Sequence, residues 1–229
     1  KISVTDAGLY HVEASNLEGC KGYDTIVVTV NALPTVVATG TSICAGDSKT
    51  LTATGAATYT WSPNTSITAL TGAAVTVNPV STITYTVEGT DANGCKNTDT
   101  AKVVVNDLPT VSIIGTNPIC VNGTATLTPT TGGAWASSND SLATVTNTGE
   151  VRGVSPGSAT FTFTDGNGCQ STTGAVTVQP LPIASIFGGG TFCMEASPTL
   201  SVELSGNPPY TLEYTVAGMG TQIRTATTS

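Results

Sequence analysis

Apolar and polar residues alternate along much of this chain with a period of two. Val75-Thr76-Val77 and Ile83-Thr84-Tyr85-Thr86-Val87 are clear examples. Such alternation puts every second side chain on one face and predicts half-buried strands. Valine-rich stretches at Ile26 to Val30, Val103 to Val105 and Val176 to Val178 predict further strands, and Lys1-Ile2-Ser3-Val4 reads as the middle of one. No segment carries apolar residues at helical spacing.

Each valine-rich stretch runs into a Leu-Pro dipeptide. Leu33-Pro34, Leu108-Pro109 and Leu181-Pro182 recur at a nearly constant interval. Proline fixes its own φ and pushes the preceding residue to extended conformations, which suits a short, stiff joint. Two sets of cysteines keep the same beat. Cys44, Cys120 and Cys193 lie at almost the same offset past the joint proline, and Leu51, Leu127 and Leu200 follow them at one constant offset. Cys20, Cys95 and Cys169 each follow a glycine, and Asn93-Gly94 and Asn167-Gly168 predict type I′ hairpin turns. Trp61 and Tyr210 stand at the same offset from the first cysteine of their repeat, and Trp135 stands slightly nearer to its own. These matched spacings place the tryptophans in the core. Shared markers at one period indicate serial modules: residues 34–108 and 109–181 complete, 1–33 the tail of one, 182–229 the front of another.

About seven short strands in roughly 75 residues fit an immunoglobulin-like sandwich. The fold class expected is all-β, with tandem immunoglobulin-like β-sandwich modules in an extended array. Composition agrees, since β-branched residues and turn formers dominate and only 10% of residues are charged. The formal net charge of −8 and seven scattered basic residues argue against nucleic acid as partner. No apolar run reaches the ~18–20 residues that span a bilayer, so no membrane insertion is expected here.

Asp6-Ala7-Gly8-Leu9-Tyr10-His11-Val12 resembles the signature that enters strand F of immunoglobulin domains, with Val12 where that family has a cysteine. The resemblance implies a tyrosine corner at Tyr10, with Tyr85 as its counterpart, and no antibody-type disulfide. Ile43-Cys44-Ala45-Gly46-Asp47-Ser48, Thr50 to Ala53, Tyr85-Thr86-Val87 and Gly94-Cys95 resemble the Ig-like repeats of very large Bacteroidota surface proteins, including gliding-motility adhesins exported by type IX secretion. Leu142 to Val145, Gly149-Glu150-Val151 and Ser155-Pro156-Gly157 look like a group-two bacterial Ig-like domain. The chain would then be a window on a longer, secreted, cell-surface protein.

In that setting six cysteines imply disulfides. The repeat leaves two schemes: Cys44–Cys95 and Cys120–Cys169 within modules, or Cys20–Cys44, Cys95–Cys120 and Cys169–Cys193 across joints. Strand lengths at ~3.3 Å per residue favour the first, because cross-joint sulfurs would end tens of ångströms apart. Each intramodule loop would contribute roughly 4 kcal/mol on the chain-entropy view.

Other chemistry is sparse. His11 is the only histidine, so no repeated Ser-His-Asp or Cys-His site exists, and its strand position faces it to solvent. No Cys-x-x-Cys clip suggests zinc. Asp91-Ala92-Asn93-Gly94 and Asp165-Gly166-Asn167-Gly168 offer oxygen ligands but lack a terminal bidentate glutamate, so they read as hairpin turns rather than calcium sites. No catalytic residue, cofactor or metal is expected. Asp24-Thr25-Ile26, Asp99-Thr100-Ala101 and Asp140-Ser141-Leu142 look like the Bacteroidota O-glycosylation sequon, which nominates Thr25, Thr100 and Ser141. The function expected is a structural stalk or spacer of an adhesin, not an enzyme. Alternatives are carbohydrate- or protein-binding modules, or an accessory array of a secreted polysaccharide-degrading enzyme. Partners would be other modules of the same chain, surface glycans or a cell-surface anchoring protein.

Overall fold

The computed structural model describes residues 5–191, 193, 199–216 and 220–226. Among these there are strands and turns and no helix. The strand expected at Lys1 to Val4 lies outside the described residues. The chain divides into two compact units, 1–107 and 108–229.

The first unit opens with an antiparallel hairpin of β1 (Gly8–Ser15) and β2 (Lys21–Val28). A sandwich follows, built from β3 (Val37–Ala38), β4 (Thr41–Cys44), β5 (Lys49–Thr54), β6 (Thr58–Ser62), β7 (Ala74–Val77), β8 (Ile83–Thr90) and β9 (Lys96–Asn106). One sheet has the order β3-β5-β7 and the other β4-β9-β8-β6. The predicted alternation is visible strand by strand: Leu51 and Ala53 on β5, Val75 and Val77 on β7, Tyr85 and Val87 on β8 all point inward. Facing β5 and β7 across the interior, Trp61 on β6 and Val103 on β9 complete one core. Burying each such large side chain contributes about 1.5–3 kcal/mol before entropy is counted.

In the second unit the sandwich is formed by β10 (Ser112–Ile114), β11 (Ile119–Cys120), β12 (Thr124–Thr128), β13 (Gly133–Ser137), β14 (Ala143–Val145), β15 (Glu150–Gly153), β16 (Gly157–Ala159), β17 (Phe161–Asp165), β18 (Gln170–Thr172) and β19 (Val176–Gln179). Its sheet β10-β12-β15-β14 packs over β11-β19-β16 and β13-β17-β18. A separate core gathers Leu127, Trp135, Val151, Phe161, Phe163 and Val178. The second face is split because the chain leaves the ladder near Thr173. That buried threonine repairs the break: its hydroxyl accepts the Phe161 amide at 3.2 Å and donates to the Gly174 carbonyl at 2.8 Å. The unit ends in two hairpins, β20 (Ile183–Phe187) with β21 (Ser201–Ser205), and β22 (Tyr210–Val216) with β23 (Gly220–Ala226).

Strand direction decides where the cysteines go. β4 runs parallel to β9, with Thr41 beside Val103 and Cys44 beside Asn106. Likewise β11 runs parallel to β19, with Cys120 beside Gln179. Cys44 and Cys120 therefore sit where the last strand of their sandwich leaves.

Candidate functional site

The repeated turns are the most uniform local structure in the chain. Asp91 and Asp165 each close a three-residue loop, with the Asp91 amide donating to the Cys95 carbonyl and the Asp165 amide to the Cys169 carbonyl. Asp91 Oδ1 accepts the amides of Asn93 and Cys95, both at 2.8 Å, and Asp165 Oδ1 does the same for Asn167 and Cys169. Only Gly94 and Gly168 take positive φ there, at 82° and 84°. This corrects the expected type I′ turn, which needs two positive-φ residues. The loop is instead a type I turn followed by a left-handed glycine, held by a carboxylate. The turn between β1 and β2 repeats the design with Asn16, whose Oδ1 accepts the Cys20 amide at 2.8 Å. That third copy went unnoticed in the sequence, although the spacing Asx-x-x-Gly-Cys is readable there. The carboxylates are engaged by backbone donors, and among the described residues no three His, Cys, Asp or Glu side chains gather as metal ligands.

The disulfides differ from expectation. Cys44 and Cys169 are disulfide-bonded, whereas Cys95 and Cys120 carry free thiols, as do Cys20 and Cys193. Neither Cys44–Cys95 nor Cys120–Cys169 forms. The physical reason is the parallel β4–β9 pairing. Cys44 lies beside Asn106, and Cys95 precedes Lys96 at the other end of the 11-residue β9, about 35 Å away at strand rise. A bridge needs Cα atoms within ~7 Å. Cys120 beside Gln179 is separated in the same way from Cys169, which precedes β18. The cross-joint pairs Cys20–Cys44, Cys95–Cys120 and Cys169–Cys193 do not form either, each having a free thiol as one member.

The second-set cysteines occupy the opposite end. Two residues past Cys95, Asn97 donates to the Pro34 carbonyl at 2.9 Å, so this end of β9 flanks the residue that enters the sandwich. In the second sandwich Asp165 pairs with Gly133, and Trp135 Nε1 donates to the Pro129 carbonyl at 2.9 Å. Pro129 follows Thr128, which pairs with Ser112 at the start of β10.

Tyr10 makes the expected corner, its hydroxyl donating to the Asp6 carbonyl four residues upstream at 2.9 Å. Tyr85 does not. Its hydroxyl crosses to the Thr65 carbonyl at 2.7 Å, twenty residues upstream, and burial pushes its pKa up. Asp99 has a structural task, accepting the Ala38 amide on Oδ2 at 2.8 Å and thereby fixing β3 to β9. That bond, with one from the Thr100 amide, lowers its pKa. His11 is exposed and pairs with Thr25. Thr25, Thr100 and Ser141, the glycosylation candidates, are all exposed. Trp61 and Trp135 are buried as expected, but Leu200 is exposed where Leu51 and Leu127 are buried.

Sandwiches of this strand order, each with its own core, are immunoglobulin-like, and the chain is a tandem array of such folds. Residues 109–176 match the family described as bacterial Ig-like domain (group 2). No curated protein matches the chain. Among solved structures, the C-terminal 282-residue fragment of intimin in complex with the translocated intimin receptor intimin-binding domain is 16% identical, with TM-score 0.44, covering 68% of this chain and 67% of that one. Immunoglobulin domains 1–4 of Sidekick-1 are 18% identical, with TM-score 0.35, over 79% of this chain and 60% of theirs. Drosophila OTK extracellular domains 3–5 are 14% identical, with TM-score 0.37, over 75% and 71%.

Proposed function

We propose that this chain is a spacer segment of a secreted, cell-surface bacterial adhesin, whose work is positional rather than catalytic. The observation that carries the reading is that each complete sandwich closes its own core, one from Val36 to Val105 and the other from Val111 to Val178, with no residue in common. Self-contained modules in series give reach, and the Leu108-Pro109 joint leaves only a few residues of strand-free chain between β9 and β10. The bacterial Ig-like match of residues 109–176 supports a bacterial surface setting. Disulfide-bonded Cys44 and Cys169 support an oxidising, extracellular compartment. The finer reading is a gliding-motility type of adhesin exported by type IX secretion, resting on the sequence resemblance in residues 43–53 and 85–95. The module boundaries 1–33, 34–108, 109–181 and 182–229 belong to the same proposal.

Small-angle scattering on the 229-residue chain tests it, together with a glycan array. The expected result is a rod several times longer than wide that retains no glycan. A compact particle, or tight retention of one glycan class, would overturn the spacer reading.

A further inference from the structure

We propose that the outer edge of β13 is a self-association surface, where two copies of this chain join antiparallel, β13 to β13, with their Trp135 residues opposite each other. This goes beyond the spacer reading, because it gives the second sandwich a lateral partner. The bonds of β17 fix which main-chain groups of β13 point outward. On its β18 side, the Phe161 carbonyl accepts the Thr173 amide and the Asp165 amide donates to the Cys169 carbonyl. An antiparallel ladder bonds alternate residues to each neighbour. Thr162 and Thr164 therefore bond towards β13, where their partners are Ala136 and Ala134. The N–H and C=O groups of Gly133, Trp135 and Ser137 point away from β17. Among the described residues no hydrogen bond meets them there. The chain after Ser137 turns elsewhere: the Ser138 amide donates to the Thr160 carbonyl at 2.9 Å and the Ala143 amide to the Asn139 carbonyl at 3.1 Å.

The matching strand of the 34–108 sandwich shows what such an edge holds. There the outward groups of β6 are met by an extended strap of its own chain. The Trp61 amide donates to the Leu70 carbonyl at 2.7 Å, the Gly72 amide donates to the Tyr59 carbonyl at 3.2 Å, and Thr60 bridges to Thr71. β13 has no strap, and it carries no lysine, proline or bulge of the kind that guards an exposed edge. It runs for five residues, against three each in β10, β14, β16 and β18. A second copy fits because the edge is self-complementary. About a two-fold axis at Trp135, Gly133 faces Ser137 and each outward N–H meets an outward C=O. Ala134 then lies opposite Ala136, at a position without hydrogen bonds where side chains come closest. Both alanines are exposed and uncharged, so a chain of net charge −8 meets itself here without like charges opposed along the strand. The sheet β13-β17-β18 becomes continuous across the pair.

Sedimentation velocity on the 229-residue chain, with its free thiols alkylated, is the test. The mass should rise from one chain towards two as concentration increases. Two double substitutions at the exposed alanines leave the core side chains in place and differ only in the sign of the contact. Ala134→Lys with Ala136→Lys opposes like charges and should abolish the dimer. Ala134→Lys with Ala136→Glu opposes unlike charges and should retain it. Native tryptophan emission in both variants reports that the sandwiches are folded. A wild type that stays monomeric at every concentration would overturn the proposal. So would a dimer that survives the double lysine change, or one lost equally in both variants.

Discussion

The hydroxyl of Tyr85 donates to the main-chain carbonyl of Thr65 at 2.7 Å, from a ring that is fully buried. The Ser66 carbonyl lies at 3.4 Å from the same oxygen. Tyr85 therefore pins the loop between β6 and β7 onto the core, where strand pairing is sparse. Tyr85→Phe keeps the ring and removes this tie, and should cost about 0.5–1.5 kcal/mol in urea unfolding. Burial disfavours the phenolate, so the folded pKa lies above the unfolded one. Its contribution is complete below the unfolded value and is lost as pH rises through the folded one. An alkaline titration followed by phenolate absorbance should show a step above the ordinary tyrosine range, and Tyr85→Phe should remove it.

Asp99 gives the opposite sign. Its carboxylate accepts the Ala38 and Thr100 amides, which holds its pKa below the ordinary value. The stability it adds is present above the unfolded pKa and is lost as pH falls through the folded one. Asp99→Ala should lower the melting temperature of the chain at neutral pH. In acid the two proteins should converge, because the wild type loses what the variant lacks. A melting temperature unchanged at neutral pH would show that β3 does not depend on this bond.

Trp61 and Trp135 test the two cores separately. Trp61 is buried and donates to the Gly72 carbonyl at 2.9 Å, and Trp135 packs against Phe163 with ring centroids 5.1 Å apart. Replacing either by alanine should cost about 3–5 kcal/mol and unfold its own sandwich. In each variant the remaining tryptophan should keep blue-shifted native emission. Loss of both emission signals from one substitution would mean that the cores do not fold independently.

Alternation made β5, β7 and β8 readable, because a sandwich strand shows one face to water and the other to its partner sheet. The same signal cannot give strand direction. Ile43 is buried whether β4 runs parallel or antiparallel to β9, yet that choice moves Cys44 from one end of the sandwich to the other. The disulfide expectation failed on this point. Tyr85 was legible as a buried strand residue, while its hydroxyl partner was not, since Thr65 lies in an irregular loop with no periodicity. For the turns, Asn93-Gly94 suggested a two-residue hairpin. The side chain of Asp91, two residues earlier, selects the longer loop by capping two amides.

That capping role yields a prediction with a built-in control. Asp165 Oδ1 holds the amides of Asn167 and Cys169, so Asp165→Ala leaves two donors near the protein surface without their acceptor. The loss should cost about 1–3 kcal/mol, from two modest hydrogen bonds, one of them part-buried. Asp165→Asn should restore most of it. An asparagine already makes the second of these bonds at Asn16, where the side-chain oxygen accepts the Cys20 amide at the same 2.8 Å. A calcium site at this turn would behave differently, because a carboxamide is a far weaker ligand than a carboxylate and the asparagine variant would lose cation binding. Unfolding midpoints of the wild type and both variants, with and without calcium, separate the cases. The expected pattern is a lower midpoint for alanine, near recovery for asparagine, and no calcium dependence in any of the three. A wild-type midpoint that rises with calcium, and a variant Asp165→Asn that does not follow it, would make this turn a cation site.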